Sequence, residues 1–427
     1  MMTLVLRGVR PYGEDAVDIV IADGVIVELA SPGTAEGEIV DADGLVALPG
    51  FVDLHAHLRE PGREDAETVL TGSRAAALGG FTCVHAMANT SPVADTAGVV
   101  EQVWRLGQEA GLVDVRPVGA VTVGLEGERM AELGAMAQSA AAVRVFSDDG
   151  RCVHDAVLMR RALEYVKSFD GVVAQHAQEP RLTEGAQMNE SELSGRLGLV
   201  GWPAVAEEAI IARDVLLAQH VDSRLHVCHL STAGSVEVVR WAKARGVQVT
   251  AEVTPHHLVL TEDLVASYDP VYKVNPPLRT AEDVRALREA LADGTIDIIA
   301  TDHAPHPHED KDCEWAAAAM GMLGLETAFG VAMETMVLPG LLSWRQLAQR
   351  MSVTPARIGG VRTQGHDLVP GAVANIAVVD PEATFVIDPT RLASKSRNTP
   401  YAGRELPGRV VHTIYAGVPT VLDGALA

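Results

Sequence analysis

Eight short apolar runs recur through the middle of the chain, each ending in polar residues and followed by a stretch of helical periodicity. In order they are VALPGFVDLHAH, FTCVHAM, VRPVGAVTV, VRVFSDD, GVVAQHA, LHVCHL, VQVTAEVTPHH and IDIIATDHAPH. Near-continuous apolar runs of this length read as strands buried on both faces, as in a parallel sheet covered by helices. Between them, segments such as EDAETVLTGSRAAALGG, HDAVLMRRALEYVKSF and EDVRALREALADG repeat apolar residues every three or four positions and often stop at glycine. The pattern predicts an α/β chain with a TIM-like (β/α)8 barrel over residues 49–368. In such a barrel the C-terminal strand ends meet at one mouth, where the chemistry is placed.

The termini follow another rhythm. LVLRGVR through VDIVIADGVIVELA at the start, and ANIAVVD, ATFVIDP and VVHTIYAGVPTVLDG at the end, alternate β-rich pieces with Gly, Asp and Pro turns. They predict short antiparallel strands, with residues 1–48 and 369–427 forming one small β-sandwich.

Composition narrows the partners. Lys and Arg number 34 against 57 Asp and Glu, a formal net charge of −23, so the surface repels a phosphate backbone; neither nucleic acid nor anionic membrane is expected as a partner. No apolar run reaches the length of about 20 residues that a membrane span needs. Cys83, Cys152, Cys228 and Cys313 are scattered without a CxxC pair, and the N-terminus has no apolar segment behind a basic start. Together these features predict a cytoplasmic protein with reduced thiols and a small-molecule substrate.

Candidate chemistry gathers at the ends of the runs. His55 and His57 lie two apart on an extended segment, so both imidazoles leave one face and can grip a cation. Alone, an HxH pair is weak evidence. Asp149, His176, His229 and Asp302 each close a different run, and a barrel would bring all six to one or two divalent ions. Imidazole and carboxylate without thiolate favour zinc. His226 competes with His229, and Asp148 with Asp149, because alternation along a strand aims neighbours oppositely. Two ions need a bridging anion. None of Lys167, Lys243, Lys273, Lys311 and Lys395 closes the fourth run, whereas a carboxylate does.

Several long motifs in order, HLREPG from 57, FSDDG from 146, HAQEPRLTEGAQMNESELSGRLGLVGWPAVAEE from 176, EVTPHHL from 252, VNPPLR from 274 and ATDHAPH from 300, resemble the class I dihydroorotases of the amidohydrolase superfamily over nearly the whole chain. The resemblance implies zinc-dependent, reversible cyclisation of N-carbamoyl-L-aspartate to L-dihydroorotate in pyrimidine synthesis. It implies one metal held by His55, His57 and Asp302, a second held by His176 and His229, and Asp149 as the bridge. Substrate contacts carry over to His57, Arg59, Asn89, Asn275 and His306. A homo-oligomer and an association with aspartate transcarbamoylase are further implications. Two stretches depart from the family pattern: Ala319, Met320 and Gly321 stand where PFG is usual, which puts in doubt the substrate contacts implied for Met320 and Gly321, and Ser191 replaces the glycine of MNEG.

The chemistry of the residues fits this assignment. Zinc lowers the pKa of its water to about 7 and polarises a carbonyl. Asp302 is then the group to take the proton of the attacking hydroxide and pass it to the leaving nitrogen. The guanidinium of Arg59 matches the carboxylate outside the substrate ring, with Asn89 and His306 as added donors and Asn275 at the ring amides. His303, His256 and His257 are expected as orienters or core polar groups. Residues 305–315 form a polar, Pro-broken segment that suits a mobile lid or an ordinary solvated loop. Dihydropyrimidinases, hydantoinases and allantoinases share the HxH start but bridge with a modified lysine, so Asp149 and Arg59 argue against them. A metal-free structural relative would have lost ligands that this chain keeps.

Overall fold

The computed structural model describes residues 3–427. From the N-terminus, β1 (Leu4–Pro11), β2 (Val17–Ala22), β3 (Val25–Ala30) and β4 (Glu38–Asp41) precede the eight apolar runs, and β5 (Val46–Pro49) opens the first of them. The runs supply β6 (Phe51–Ala56), β7 (Phe81–Ala86), β8 (Asp114–Pro117), β9 (Val145–Phe146) and β10 (Val172–Gln175). After the short pair β11 (Met188–Asn189) and β12 (Gly201–Trp202) come β13 (Leu225–Val227), β14 (Val249–Val253) and β15 (Ile298–Ile299). The chain ends with β16 (Ile376–Val386), β17 (Glu405–Tyr415), β18 (Val418–Leu422) and β19 (Ala425–Leu426).

Every one of the eight runs contributes one of the strands β6 to β10 and β13 to β15, and the pairings among these eight are parallel. They form a three-stranded sheet, β6-β7-β8, and a five-stranded sheet, β15-β14-β13-β10-β9. Two isolated parallel bridges tie these sheets together at both margins: Gly119 to Phe146 beyond β8, and Ala56 to His303 beyond β15. A small apolar core, including Leu54, Val118, Val145, Val172, Ala174 and Ile298, is drawn from many of these strands at once. A much larger cluster packs the helices against their outer faces.

The crossover helices follow from local signals. Val69–Leu78 starts at Thr68, whose side chain accepts from the Thr71 N–H in a capping box, a feature that contributes about 1 kcal/mol. The helix stops at Gly79, where a Cβ would lie 2.2 Å from the Leu325 carbonyl, so no larger residue fits. Ala156–Val166 is capped by Asp155, and Ala281–Asp293 by Thr280, with Gly294 in the left-handed conformation at its end.

The terminal strands meet in a single nine-stranded sheet in which β16 pairs β5 antiparallel, joining the two ends of the chain. One expectation is corrected here. β1 pairs β4 and β5 in parallel, so these strands are not uniformly antiparallel. The physical reason is the connection: β1 is followed by the β2–β3 hairpin, and the chain then returns to lay β4 and β5 beside different stretches of β1 in its own direction.

Candidate metal centre

The strand ends place the six expected ligands side by side. His55 is the penultimate residue of β6 and His57 follows it, His176 follows β10, and Asp149, His229 and Asp302 lie just past β9, β13 and β15. All six are buried. His229 and Asp302 hold positive φ values of 29° and 47°, a costly backbone state for non-glycine residues that concentrates at functional sites.

Asp149 is the hub. Its Oδ1 lies 3.3 Å from His55 Nε2, 3.3 Å from His176 Nδ1 and 3.4 Å from His229 Nε2, while its Oδ2 lies 3.3 Å from His57 Nε2. Asp302 Oδ1 is 3.1 Å from His57 Nε2 and 3.5 Å from His55 Nε2. Two ligand groups result, His55–His57–Asp149 and Asp149–His176–His229, which share the one aspartate.

The outer ring nitrogens decide where the lone pairs point. His55 Nδ1 lies 2.6 Å from Glu252 Oε1, His57 Nδ1 2.8 Å from Asn89 Oδ1, and His176 Nε2 2.7 Å from Gln178 Oε1. An N–H on the outer nitrogen satisfies each contact, so in the neutral ring the inner nitrogen is free to offer its lone pair to a cation in the cluster. His55 Nε2 has no hydrogen-bond partner although the residue is fully buried, and His176 Nδ1 and His229 Nε2 face each other at 2.8 Å. Neighbouring ligands on a tetrahedral ion with bonds of about 2.0–2.1 Å sit about 3.3–3.4 Å apart. The donor set therefore fits a divalent cation pair.

Charge in the cluster is balanced between the two residue types. Burial alone would raise the Asp149 carboxyl, but the surrounding imidazoles of His55, His176 and His229 hold it well below the usual carboxylate range. Burial opposes ionisation of Asp302 too, and the neighbouring His55 and His57 bring it down to about 2. Both aspartates stay ionised at neutral pH.

The competing candidates point elsewhere. Asp148 turns away and accepts from the Val121 N–H (2.7 Å), the Thr122 N–H (2.9 Å) and the Thr122 hydroxyl. His226 sits between Thr250 Oγ1 (2.8 Å) and Glu252 Oε2 (2.9 Å), outside the ligand groups. Glu252, the residue that sequence reasoning missed, thus orients His55 and His226 and also accepts from the His229 N–H at 3.1 Å. Opposing charge from His55 and His226 overcomes its burial and keeps it ionised.

The expected substrate residues ring the same mouth. Arg59 donates through Nε to the Pro305 carbonyl at 3.0 Å. Its Nη2 is 3.4 Å from His306 Nε2, but that nitrogen lies 2.9 Å from the Met320 carbonyl and must donate to it, leaving no lone pair for the arginine. Burial lowers the Arg59 pKa only to about 10, so the cation persists at neutral pH. Asn275 Nδ2 reaches Gln178 Oε1 at 3.3 Å, and its Oδ1 is buried without a partner. Met320 acts here through its backbone, since its side chain packs against Ala186, Trp202 and Ala206. At Gly321, with φ of 147°, a Cβ would approach Ala304 Cβ to 2.7 Å and His306 Nε2 to 2.9 Å. Asn398 fixes this corner, accepting from the His306 N–H and donating to the Ala304 and Gly321 carbonyls.

His257 is held by Thr254 Oγ1 at 2.8 Å, and His303 lies 3.3 Å from Glu67 Oε2, as expected of orienting or core polar groups. His256 Nε2 is buried without a partner. Within residues 305–315, a short helix, His308–Lys311, ends on Lys311, whose ammonium donates to the carbonyls of Pro270 (2.9 Å) and Lys273 (3.0 Å). Trp315 is buried against Met188, Leu193 and Val265. The segment is therefore tied down at several points.

The fold has solved counterparts. The L-hydantoinase (dihydropyrimidinase) of Arthrobacter aurescens matches with a TM-score of 0.88 at 24% identity, covering 100% of this chain and 98% of that one. The dihydropyrimidinase of Brevibacillus agri matches at 0.83 and 22%, covering 100% and 96%. These likenesses show a shared fold.

Sequence similarity is far closer elsewhere. Residues 44–235 match the family described as Dihydro-orotase-like. The dihydroorotase of Streptomyces coelicolor is 69% identical over the full length of both chains. That of Leifsonia xyli is 65% identical over 99% of this chain and 97% of its own, and that of Mycobacterium tuberculosis 56% over 100% of both. The chain belongs to the dihydroorotase family; it is an enzyme, a cyclic amidohydrolase. No helix among the described residues is long and apolar enough to cross a membrane.

Proposed function

We propose that the chain is a class I dihydroorotase that interconverts N-carbamoyl-L-aspartate and L-dihydroorotate with two zinc ions, on a closed (β/α)8 barrel (residues 49–368) flanked by a β-sandwich of residues 1–48 and 369–427. The two parallel bridges at the sheet margins support closure, and the joining of both chain ends by β5 and β16 supports the shared second domain. A cytoplasmic homo-oligomer, and its association with aspartate transcarbamoylase, belong to the same reading.

One observation carries the substrate assignment: a half-buried guanidinium, Arg59, stands beside the ligand cluster, and among the described residues its Nη groups are engaged by no carboxylate. A fixed cation of this kind asks for an anionic ligand, and the carboxylate outside the dihydroorotate ring supplies one.

His55, His57 and Asp302 would hold one ion, and His176 and His229 the other, with Asp149 shared. Bound divalent ions supply Lewis acidity, both to a carbonyl and to water. The residues do the rest. Arg59 and His306 orient the substrate carboxylate, and Asn275 turns its free Oδ1 toward a ring N–H. Asp302, ionised and beside His55 and His57, accepts the proton released as water attacks the ring carbonyl. It returns that proton to the amide nitrogen as the C–N bond breaks. In the cyclising direction the same carboxylate takes the proton from the carbamoyl nitrogen. Glu252 and Asn89 keep the imidazoles turned inward throughout.

Turnover of dihydroorotate and dihydrouracil by the wild type and by Arg59→Met tests this reading. The wild type is expected to prefer dihydroorotate by orders of magnitude in kcat/KM, and Arg59→Met to erase most of that gap by losing activity on dihydroorotate alone. Equal wild-type rates on both substrates would replace the assignment with a dihydropyrimidinase-like one.

A further inference from the structure

Toward the opposite end of the parallel strands several arginines gather. A cavity of about 850 Å³ opens where β9 and β10 begin, and it is lined by Arg116, Arg144, Arg357, Arg362, Phe169 and Asp170 among others. Arg144 directly precedes β9, and Phe169 and Asp170 lie just before β10. Arg357 belongs to the helix Thr354–Gly359, whose Ile358 enters the core inside the strands, and Arg362 follows that helix.

The arginines are unusual in this chain because acids outnumber bases so heavily. Arg116 is paired with Asp114 at 2.8 Å, and Asp170 is engaged by Arg224 at 3.2 Å. Arg144 donates through Nη1 to the Ala137 and Val143 carbonyls at 2.9 Å, which fixes the side chain without neutralising it. Among the described residues, Arg144, Arg357 and Arg362 form no ion pair with a carboxylate, although 57 acidic residues were available to evolve as partners. Like charges gathered in a concave surface repel one another and focus a positive potential, a cost that a bound anion removes. The volume suits a metabolite-sized ligand.

We propose that this cavity is a second ligand site, remote from the metal centre, that binds a small phosphate-bearing polyanion, a polyphosphate group lying across Arg144, Arg357 and Arg362. Guanidinium forks match phosphate oxygens bidentately, and the Phe169 ring offers an apolar wall to whatever the phosphates are attached to. A flexible acidic polypeptide would also seek positive charge, but a concave cluster confined to three neighbouring arginines, one of them fixed by backbone hydrogen bonds at Arg144, favours a compact, highly charged ligand over an extended one.

The test is calorimetric titration of the full-length, metal-loaded enzyme with sodium tripolyphosphate and with adenosine triphosphate, with metal content measured before and after. Arg357→Gln/Arg362→Gln is the chosen variant because both side chains are exposed and neither contacts the metal centre. Saturable binding of at least one probe, weakened about tenfold or more in the variant while its dihydroorotate turnover and Tm without ligand match the wild type, is the expected result. The proposal is overturned if neither probe binds saturably, if the variant binds as tightly as the wild type, if binding only tracks loss of metal, or if a polyglutamate peptide binds the wild type more tightly than either probe.

Discussion

The two ends of the eight parallel strands use the same backbone for opposite purposes. Past the C-terminal ends stand His55, His57, Asp149, His176, His229 and Asp302, buried, mutually oriented and backed by Glu252 and Asn89. Toward the N-terminal ends stand Arg144, Arg357 and Arg362, without carboxylate partners among the described residues, and Arg116 of β8, paired with Asp114, lines the same cavity. β9 links the two, with Arg144 before it and Asp149 after it. The difference teaches that strand polarity, not strand composition, sorts the chemistry. The strands are largely apolar struts; the six candidate ligands gather at their C-terminal ends, and Glu252, inside β14, backs them.

If that contrast is right, damage at the two ends has unequal consequences. The largest effect is expected from His55→Ala or His57→Ala, which removes a ligand from a site with few to spare; kcat/KM should fall on the order of a thousandfold or more, with metal content falling alongside it. Metal analysis beside a dihydroorotate assay checks both. Full metal content with wild-type turnover in either variant would break the assignment of the catalytic end.

Glu252→Gln sharpens the contrast one layer out. The amide keeps the shape of the carboxylate but not its charge, so His55 becomes a weaker ligand, and metal affinity is expected to drop about 10–100-fold. Chelator competition measures it. Unchanged affinity would reduce Glu252 to a packing residue.

The smallest effect concerns the segment beside the mouth. Burial, with Lys273 nearby, lowers Lys311 from 10.5 to about 7. Between pH 7 and 10.5 the unfolded chain binds the proton that the folded one has lost. Stability therefore rises with pH through that window, the penalty of a buried ammonium being fully present only below 7. Denaturant midpoints of wild type and Lys311→Met across pH 6.5–10 should diverge in slope, the wild type gaining relative to the variant. Parallel slopes would mean that Lys311 titrates normally.

Much of this was legible along the chain, for a physical reason. Strands covered on both faces must be apolar throughout, so a His or Asp closing such a run stands out against it, and the six candidate ligands that the structure brings together were picked out that way. Glu252 was not. It lies inside β14 with Ala251 and Val253 on either side, and its partner His55 is 197 residues away. Nothing local separates such a carboxylate from a polar residue on an open face. The parallel pairing of β1 with β4 and β5 was hidden likewise, because alternation records which face is buried and not which direction a neighbour runs. The contacts of Lys311 and Trp315 that hold residues 305–315 are also tertiary, and the polar composition of that segment gave no sign of them.

The central claim is that one aspartate of the FSDDG segment joins two ligand groups while its neighbour only supports the backbone. Counting bound zinc per chain in wild type, Asp149→Ala and Asp148→Ala after reconstitution, with dihydroorotate turnover on the same samples, tests this most directly. Asp149→Ala is expected to lose the shared ligand, at least one ion and nearly all activity. Asp148→Ala should keep the wild-type zinc count and lose about 1–3 kcal/mol of stability, because the Val121 and Thr122 N–H groups are left without an acceptor. Equal zinc loss in both variants, or greater loss in Asp148→Ala, would contradict the account.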